Sequence, residues 1–554
     1  MEASKCKKFK LDFWNVVTIG IFLIFAVCLI YPLFSLFFSS LKDSNTGEFT
    51  LSNFVQFFTK KYYYESLWRS FSVTIITTIL TIVIGVPLAY VMTTCKIKGK
   101  GLIEILIIIS VLSHPFIGAY SWILLLGRSG VITTFLSDTF GINLPSIYGF
   151  SGILLVFTLK LFPFIYMYTT GALKKLDVSL IEASESLGCT GVKKVFTVVI
   201  PLILPTVLAG SLLVFMNALA DFGTPMLIGE GYQVMPVLIY SEFISEVGGQ
   251  ANFAAALSAI MVFITTIIFL GQKYVVNKKS FVMSSLKPIQ PKKINGIKSF
   301  FAHTFVYIVV GLAIIPQVTV IFTSFLKTKG AMFIREFSLN SYINVIGKLG
   351  SSIRNTFVYG IIAIILIIIL GMFISYVSVR RKNLFTSILD TLTMFPYIIP
   401  GSVLGITLLL AFNKKPILLS GTFMIIVIAF VIRRLPYTIR SSAAILYQIS
   451  PSMEEASISL GYSQFQTFKN VTSRMMLPGV ISGAILSWIT VINELSASII
   501  LYTGTTRTMS VAIYSEVIRA SYGTAAALSS ILTFTTIISL LIFFKLTGSR
   551  DISL

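Results

Sequence analysis

The chain has 554 residues, of which 55% are hydrophobic and only 12% are charged, and its mean hydropathy is +0.90. A soluble protein of this size carries about twice that share of charged residues, so the composition excludes a soluble fold and predicts an all-α integral membrane protein. The net charge of +22 lies in short polar segments between apolar stretches, which is the pattern of membrane proteins rather than of nucleic-acid binding.

Twelve apolar segments follow one another along the chain, and each is long enough to cross a bilayer as a helix. Lys5, Lys7 and Lys8 precede the first segment, and no small-residue cleavage site follows it, so we expect an uncleaved first span. The predicted spans are 13–38, 70–94, 102–127, 148–170, 202–222, 252–272, 300–326, 355–378, 385–412, 417–434, 477–499 and 523–546.

A polar, lysine-rich stretch divides these spans into two sets of six. We predict a first half at 1–275, a cytoplasmic linker at 276–299 and a second half at 300–554. Basic loops alternate with less basic ones, which predicts a multi-pass cell-membrane protein with both termini in the cytoplasm. The basic loop at 327–354 is an exception, because the same alternation places it outside.

Short motifs recur at matching places in the two halves. Gly85 and Tyr90, in the sequence Gly-Val-Pro-Leu-Ala-Tyr, match Gly371 and Tyr376, in the sequence Gly-Met-Phe-Ile-Ser-Tyr. An even number of spans in each half makes the two repeats parallel, related by an axis along the membrane normal. We therefore expect a translocation path between the halves.

The longest repeat lies in two polar loops, which we call the first (172–201) and second (449–477) Glu-Ala-Ser loops. The first contains Glu182-Ala183-Ser184 and Gly188, and the second contains Glu455-Ala456-Ser457 and Gly461. The spacing from glutamate to glycine is the same in both loops. A Leu-Pro pair follows each glycine at the same distance, ending at Pro205 and at Pro478.

Each Glu-Ala-Ser loop also contains the pattern of a capping box, Ser179 with Glu182 and Ser452 with Glu455. In such a box the serine hydroxyl accepts an N–H of the first helical turn and the glutamate reaches back to the cap. The glycines then predict a sharp turn at the end of a short helix. A proline after that turn predicts the start of the next span.

The Glu-Ala-Ser pattern with its glycine and trailing Leu-Pro resembles the Glu-Ala-Ala loop of permease subunits of ATP-binding-cassette (ABC) importers. The whole chain resembles a fused type I permease with two six-span halves. Within that group it resembles the ferric-iron permeases and their relatives for 2-aminoethylphosphonate, thiamine and polyamines. The resemblance implies a transport subunit that is not an enzyme, with ferric iron as the first expected substrate and the other three as alternatives.

The resemblance also implies partners. Two ABC ATPase subunits would bind ATP and Mg²⁺, which this chain would not bind, and an extracytoplasmic solute-binding protein would deliver the substrate. The residues that match the ATPase-contacting loops of the family are Glu182, Ala183, Ser184, Gly188, Pro201, Pro205, Glu455, Ala456, Ser457, Gly461, Leu477 and Pro478.

This chain departs from the family pattern at three of these places. Ser184 and Ser457 stand where alanine is usual, and Arg474 stands where the first loop has Pro201. We therefore expect the two ATPase contacts to be unequal.

Asp221 and Glu494 are candidates for the substrate path, because they end the spans that follow the two Glu-Ala-Ser loops. Such residues are costly inside a membrane, so they are either solvated span ends or an acidic lining at the outer mouth of the path. Asn217 and Asn493 would add polar lining, or would only tie helices together. Lys160 and Arg433, which also match between the halves, are expected to extend toward cytoplasmic water.

No enzyme site is predicted. The chain lacks a Walker A sequence, and His114 and His303 are its only histidines, with His114 expected to make a local hydrogen bond beside Pro115. The four cysteines have neither metal-ligand spacing nor a disulfide pattern. A membrane enzyme therefore has no catalytic residues to use, and the alternative from another class is an ion-driven secondary transporter.

Overall fold

The computed structural model describes residues 12–43, 46–112, 115–244, 250–278, 289–330 and 332–547. The predicted hydrogen bond of His114 lies outside these residues. In the first half the helices are α1 (Phe13–Phe25), α2 (Tyr31–Ser40), α3 (Ser52–Thr59), α4 (Lys61–Thr94), α5 (Lys100–Leu112), α6 (Pro115–Leu126), α7 (Val131–Phe140), α8 (Phe150–Lys174), α9 (Val178–Ser186), α10 (Gly191–Lys194), α11 (Ile200–Ala220), α12 (Gly223–Ile228), α13 (Met235–Ile244) and α14 (Ala251–Lys278).

The second half follows a similar order with fewer helices and contains, among the described residues, one β-hairpin. Its helices and strands are α15 (Gly296–Ser324), β1 (Leu326–Lys329), β2 (Met332–Phe337), α16 (Asn340–Arg380), α17 (Leu384–Ile398), α18 (Gly401–Ala411), α19 (Phe423–Gln448), α20 (Ser452–Ser459), α21 (Gln464–Thr467), α22 (Ser473–Ile492), α23 (Ser498–Leu501), α24 (Met509–Ile518) and α25 (Tyr522–Thr547). Strands β1 and β2 are antiparallel, with Lys329 opposite Met332. In the part of the chain that the structure describes, three five-residue π-helical segments join neighbouring helices, at Ala26–Ile30, Val195–Val199 and Phe468–Thr472.

The described residues contain ten helices that are long and apolar enough to span a membrane, or eleven if one bent pair is counted as a span. That pair, α17 and α18, occupies the predicted span 385–412 but bends by 110°. The break is at Ile399, whose backbone is extended because it precedes Pro400. Helix α19 occupies the predicted span at 417–434 and carries three arginines, so composition alone does not identify it as a span. The all-α membrane fold is confirmed.

Three helices form the centre of each half: α4, α8 and α11 in the first, and α16, α19 and α22 in the second. The repeated glycines of the sequence lie where two of these helices approach closely. A Cβ on Gly85 would lie 2.8 Å from Ile165 of α8, and one on Gly371 would lie 2.8 Å from Thr438 of α19. Small residues at such crossings let membrane helices pack backbone to backbone.

The first helix of each half packs against the other half. Trp14 of α1 stacks on Tyr376 of α16 with ring centroids 4.1 Å apart, and Asp12 pairs with Arg381 at 3.1 Å. Helix α15 contacts α4, α5 and α6 of the first half. Nearby, His303 of α15 accepts a hydrogen bond from the Lys98 N–H at 3.2 Å. The two halves are therefore interlocked.

Candidate functional site

Asp221 and Glu494 lie in the interior of the protein, directly after α11 and α22. They are 8% and 3% exposed, so the interpretation that they are solvated span ends is wrong. Each carboxylate pairs with a basic residue 61 positions earlier in the chain. Those basic residues lie near the middle of α8 and of α19.

In the first half the cluster is one acid and one base. The Lys160 Nζ lies 2.5 Å from Asp221 Oδ2. The other carboxylate oxygen, Oδ1, accepts the backbone N–H of Thr224 at 3.0 Å, at the start of α12. Both oxygens of Asp221 are therefore occupied, which offsets the cost of burying the charge.

In the second half one acid has two bases. Glu494 accepts from Arg433 Nη1 on one oxygen and from Arg434 Nη2 on the other. The backbone N–H of Ala497 also donates to Glu494 Oε1 at 3.2 Å, just before α23. Each contact of Asp221 thus has a counterpart at Glu494, and Arg434 is an addition.

The equivalence of the two clusters is visible in the numbering, since 433 − 160 and 494 − 221 are both 273. At the same separation, Arg434 matches Leu161, which is 2% exposed among apolar side chains. The interpretation that Lys160 and Arg433 extend toward cytoplasmic water is wrong. A buried carboxylate lies within their reach, and pairing with it compensates their charge inside the bilayer.

These side chains line a cavity of about 110 Å³, several times the roughly 10–15 Å³ that one water needs. Three basic and two acidic side chains leave one positive charge in excess. The predicted acidic lining is therefore wrong in sign. The lining residues are Lys160, Met216, Asn217, Ala220, Asp221, Gly223, Tyr397, Arg433, Arg434, Asn493, Glu494, Leu495 and Ser496.

Both asparagines singled out in the sequence lie at this cavity. The Asn217 Nδ2 donates to Leu213 O of its own helix at 2.8 Å. Sequence reasoning missed Arg434 and Tyr397. The adjacent arginines 433 and 434 within an apolar helix were the available signal for the first, and nothing comparable marks Tyr397.

The short helix of each Glu-Ala-Ser loop is present, but neither begins with the predicted capping box. In α9 the cap is Asp177, whose Oδ1 accepts the Ser179 N–H at 2.9 Å. A carboxylate two residues upstream thus takes the place expected for Ser179. In α20 the cap position is Pro451, without a side-chain hydrogen bond, and Ser452 is already the first helical residue.

The glycine bends have the backbone that the sequence predicts. Gly188 and Gly461 have left-handed φ angles of +82° and +90°. In the first loop the Cys189 N–H donates to Ser184 O at 2.9 Å and the Gly188 N–H to Glu185 O at 3.0 Å. The second loop has the same two bonds, so both helices end in a Schellman motif.

Pro201 lies in the first turn of α11, as predicted, but Pro205 and Pro478 do not begin the next span. Helical backbone already starts at Gly191 and at Gln464 and continues through a π segment into α11 and α22. Pro205 and Pro478 both lie inside these helices. Membrane helices tolerate internal proline because neighbouring groups satisfy the freed backbone carbonyl.

The two loops differ in how they attach to the membrane helices. In α20 Glu454 is 8% exposed, pairs with Arg380 Nε at 3.0 Å and accepts from the Tyr376 hydroxyl at 2.9 Å. Helix α9 has no buried residue. Its ion pair, Glu185 with Lys194 at 2.5 Å, lies on the surface, and the Lys194 ammonium lowers the pKa of the Glu185 carboxyl from its usual value.

The end of each short helix presents an apolar side chain to solvent. Leu187 is 89% exposed and Leu460 is 80% exposed, each directly before the bend glycine. Each leucine is therefore held at the tip of its turn, where it is accessible to another protein.

Comparisons with known proteins agree with the architecture. The family model described as "Binding-protein-dependent transport system inner membrane component" matches residues 16–280 and 367–548. The ferric transport system permease protein FbpB of Actinobacillus pleuropneumoniae is 28% identical over 547 residues, which cover 96% of this chain and 78% of that protein. The putative ferric transport system permease protein FbpB 1 of Haemophilus influenzae is 29% identical over 86% of this chain and 76% of its own. The spermidine/putrescine permease PotB of the same organism is 31% identical over 35% of this chain and 69% of its own.

Proposed function

Because this chain belongs to the family of binding-protein-dependent transport system inner membrane components, we propose that it forms the translocation path of an ATP-driven importer for ferric iron. The observation that supports ferric iron as the substrate is the similarity of this chain, over 96% of its length, to a ferric transport permease. Family membership removes the alternative of an ion-driven secondary transporter.

Ferric iron is preferred to a polyamine because of the extent of the similarity. The ferric transport permease matches 96% of this chain, whereas the polyamine permease matches only 35%.

Uptake of ⁵⁵Fe tests this function directly. The permease would be expressed together with its partner ATPase and solute-binding protein in a host that has no other ferric-iron uptake system. We expect ⁵⁵Fe uptake that stops when ATP is depleted and continues with an uncoupler. A partner ATPase with its Walker A lysine replaced is the matched control. Uptake that follows the membrane potential instead would contradict the proposal.

We further propose that two ATPase subunits bind the Glu-Ala-Ser loops through α9 and α20, and that these subunits supply ATP and Mg²⁺. The exposed leucines 187 and 460 and the two rigid Schellman turns support this assignment. A solute-binding protein would deliver the substrate from the other side of the membrane.

The same assignment places both termini and both Glu-Ala-Ser loops in the cytoplasm. Leu187→Cys and Leu460→Cys, each in a cysteine-free background, should react with an impermeant maleimide in inside-out vesicles. Reaction in intact cells at either position would contradict this orientation.

A further inference from the structure

The cavity between the two ion clusters, which we call the central cavity, is lined by three basic and two acidic side chains, so one basic side chain has no acid of its own. Asp221 balances Lys160, and Glu494 balances one of the two arginines beside it. The first half shows that the fold is complete without the extra charge, because Leu161 occupies the position of Arg434. The extra arginine therefore needs a reason other than packing.

Arg434 also has unused hydrogen-bonding capacity. Its Nη2 donates to Glu494, but its buried Nε has no hydrogen-bond partner among the described residues. The side chain is only 15% exposed, so bulk water solvates it poorly. A buried donor and an uncompensated charge are each unfavourable unless a ligand supplies the missing acceptor.

The chemistry of that ligand follows from the guanidinium group. A planar guanidinium binds carboxylate, phosphate and phosphonate oxygens with charge-assisted hydrogen bonds. We propose that the cavity binds an oxyanion group of the transported substrate, and that Arg434 is the residue that holds it. The amides of Asn217 and Asn493, which line the same cavity, add polar surface to the site.

If the substrate is ferric iron, as proposed above, an oxyanion site in the cavity means that iron passes through it as a complex with oxyanion ligands. A bare trivalent cation would meet three basic side chains there. The described part of the chain also contains no group of three or more His, Cys, Asp or Glu residues placed to hold a metal. A free organic phosphonate offers the same oxyanion chemistry and is the other source of the ligand.

Thermal stability of the full-length permease with its ATPase in nanodiscs tests the site. The probes are citrate, ferric citrate, inorganic phosphate and 2-aminoethylphosphonate, with chloride at matched ionic strength as the reference. The variants are Arg434→Leu, which copies the first half, and Arg434→Lys. The control is Arg440→Leu, which removes the same charge from an exposed position on the same helix.

We expect at least one oxyanion to raise the Tm of the wild type and of Arg440→Leu in a saturable way. Arg434→Leu should need about tenfold more of that anion, because a charge-assisted hydrogen bond is lost, and Arg434→Lys should lie between them. An equal shift in Arg434→Leu, or no shift in the wild type, would overturn the proposal. If Arg434→Leu does not assemble, Arg434→Gln and Arg434→Lys give the same comparison.

Uptake separates this proposal from the proposed function. A larger shift with ferric citrate than with citrate identifies the iron complex as the source, and ⁵⁵Fe uptake should then fall about tenfold in Arg434→Leu. If the wild type takes up no ⁵⁵Fe while an anion still acts through Arg434, the iron assignment fails and the oxyanion site stands. If ⁵⁵Fe uptake is normal in Arg434→Leu, the oxyanion site fails and the iron assignment stands.

Discussion

The two halves are built from the same parts, but the second half holds its acidic residues with more partners. At the cavity Asp221 has one basic partner and Glu494 has two. At the loops Glu454 is held by Arg380 and Tyr376, whereas the matching position of the first loop is Ile181. The same backbone architecture therefore carries unequal electrostatic constraints.

The difference indicates that the repeats have divided their roles. Segments with few buried contacts open at a lower free-energy cost than segments held by buried networks. The first Glu-Ala-Ser loop has no buried residue in α9, so it should open at a low free-energy cost. The second loop is held by a buried ion pair, so its opening should cost more. We expect α9 to move more freely against its half than α20.

The largest expected loss of stability follows from a substitution at the cavity. Glu494→Gln leaves two buried arginines without a counter-charge, and we expect a loss of about 3–5 kcal/mol in the free energy of unfolding. Asp221→Asn should cost less, because it leaves only one basic side chain without a counter-charge, and that lysine is 17% exposed. Denaturation of both purified variants measures the difference.

A second substitution serves as the control for that experiment. Adding Arg434→Leu to Glu494→Gln removes one of the two uncompensated arginines and returns the cavity to the single excess positive charge of the wild type, so it should recover part of the stability. Equal losses in Glu494→Gln and Asp221→Asn would show that the two clusters are energetically alike.

The next effect is at the attachment of the second loop. Glu454→Ala leaves Arg380 unpaired, and we expect a loss of about 3 kcal/mol, at the low end for a buried pair since both side chains are partly exposed. Glu185→Ala is the matched change in the first loop, where the pair is on the surface and should matter little. Hydrogen exchange should rise across α20 in the first variant and stay unchanged across α9 in the second. Equal changes in hydrogen exchange in the two variants would contradict the proposed difference between the two loops.

The smallest effect per site is at the bends. A Cβ at Gly188 or Gly461 would meet nothing within 4 Å, so Gly188→Val and Gly461→Val add only backbone strain, about 1–2 kcal/mol each. Permease abundance should stay near normal while ATPase co-purification and transport fall. We expect Gly461→Val to be the more severe, because α20 is held in place and α9 can adjust. The double variant should be inactive.

Gly141→Val is the control for the bends, because Gly141 has the same left-handed backbone and open surroundings but follows α7, outside both loops. It should leave ATPase co-purification unchanged. Loss of the permease itself in the loop variants would mean that these glycines serve folding, and full transport in the double variant would remove the loops from the mechanism.

Much of the fold was predictable, because apolar length and local backbone chemistry are properties of short segments. The bends at Gly188 and Gly461 follow from glycine's access to left-handed φ. The first capping box was wrong because a competing acceptor, Asp177, lies just upstream of Ser179. The second was wrong because the helix begins at Ser452 itself, with Pro451 at the cap position. The break at Ile399 was missed, although Pro400 was its signal.

The ion clusters were not predictable in the same way. Lys160 and Asp221 are 61 residues apart, and only the packing of α8 against α11 brings them together. The signal was present in the repeat itself. A base and an acid occur with the same 61-residue spacing in both halves, at Lys160 with Asp221 and at Arg433 with Glu494.

The first helix of each half packs against the other half, and this exchange affects how the protein assembles. Since α1 packs on the second half and α15 on the first, neither half is complete until both have been made. The residues between α14 and α15 then raise the effective concentration of one half near the other during assembly. Once the halves have closed around each other, a protease cut in that connection would leave a single particle. Two separately translated halves would form the same particle, only more slowly and in a concentration-dependent way.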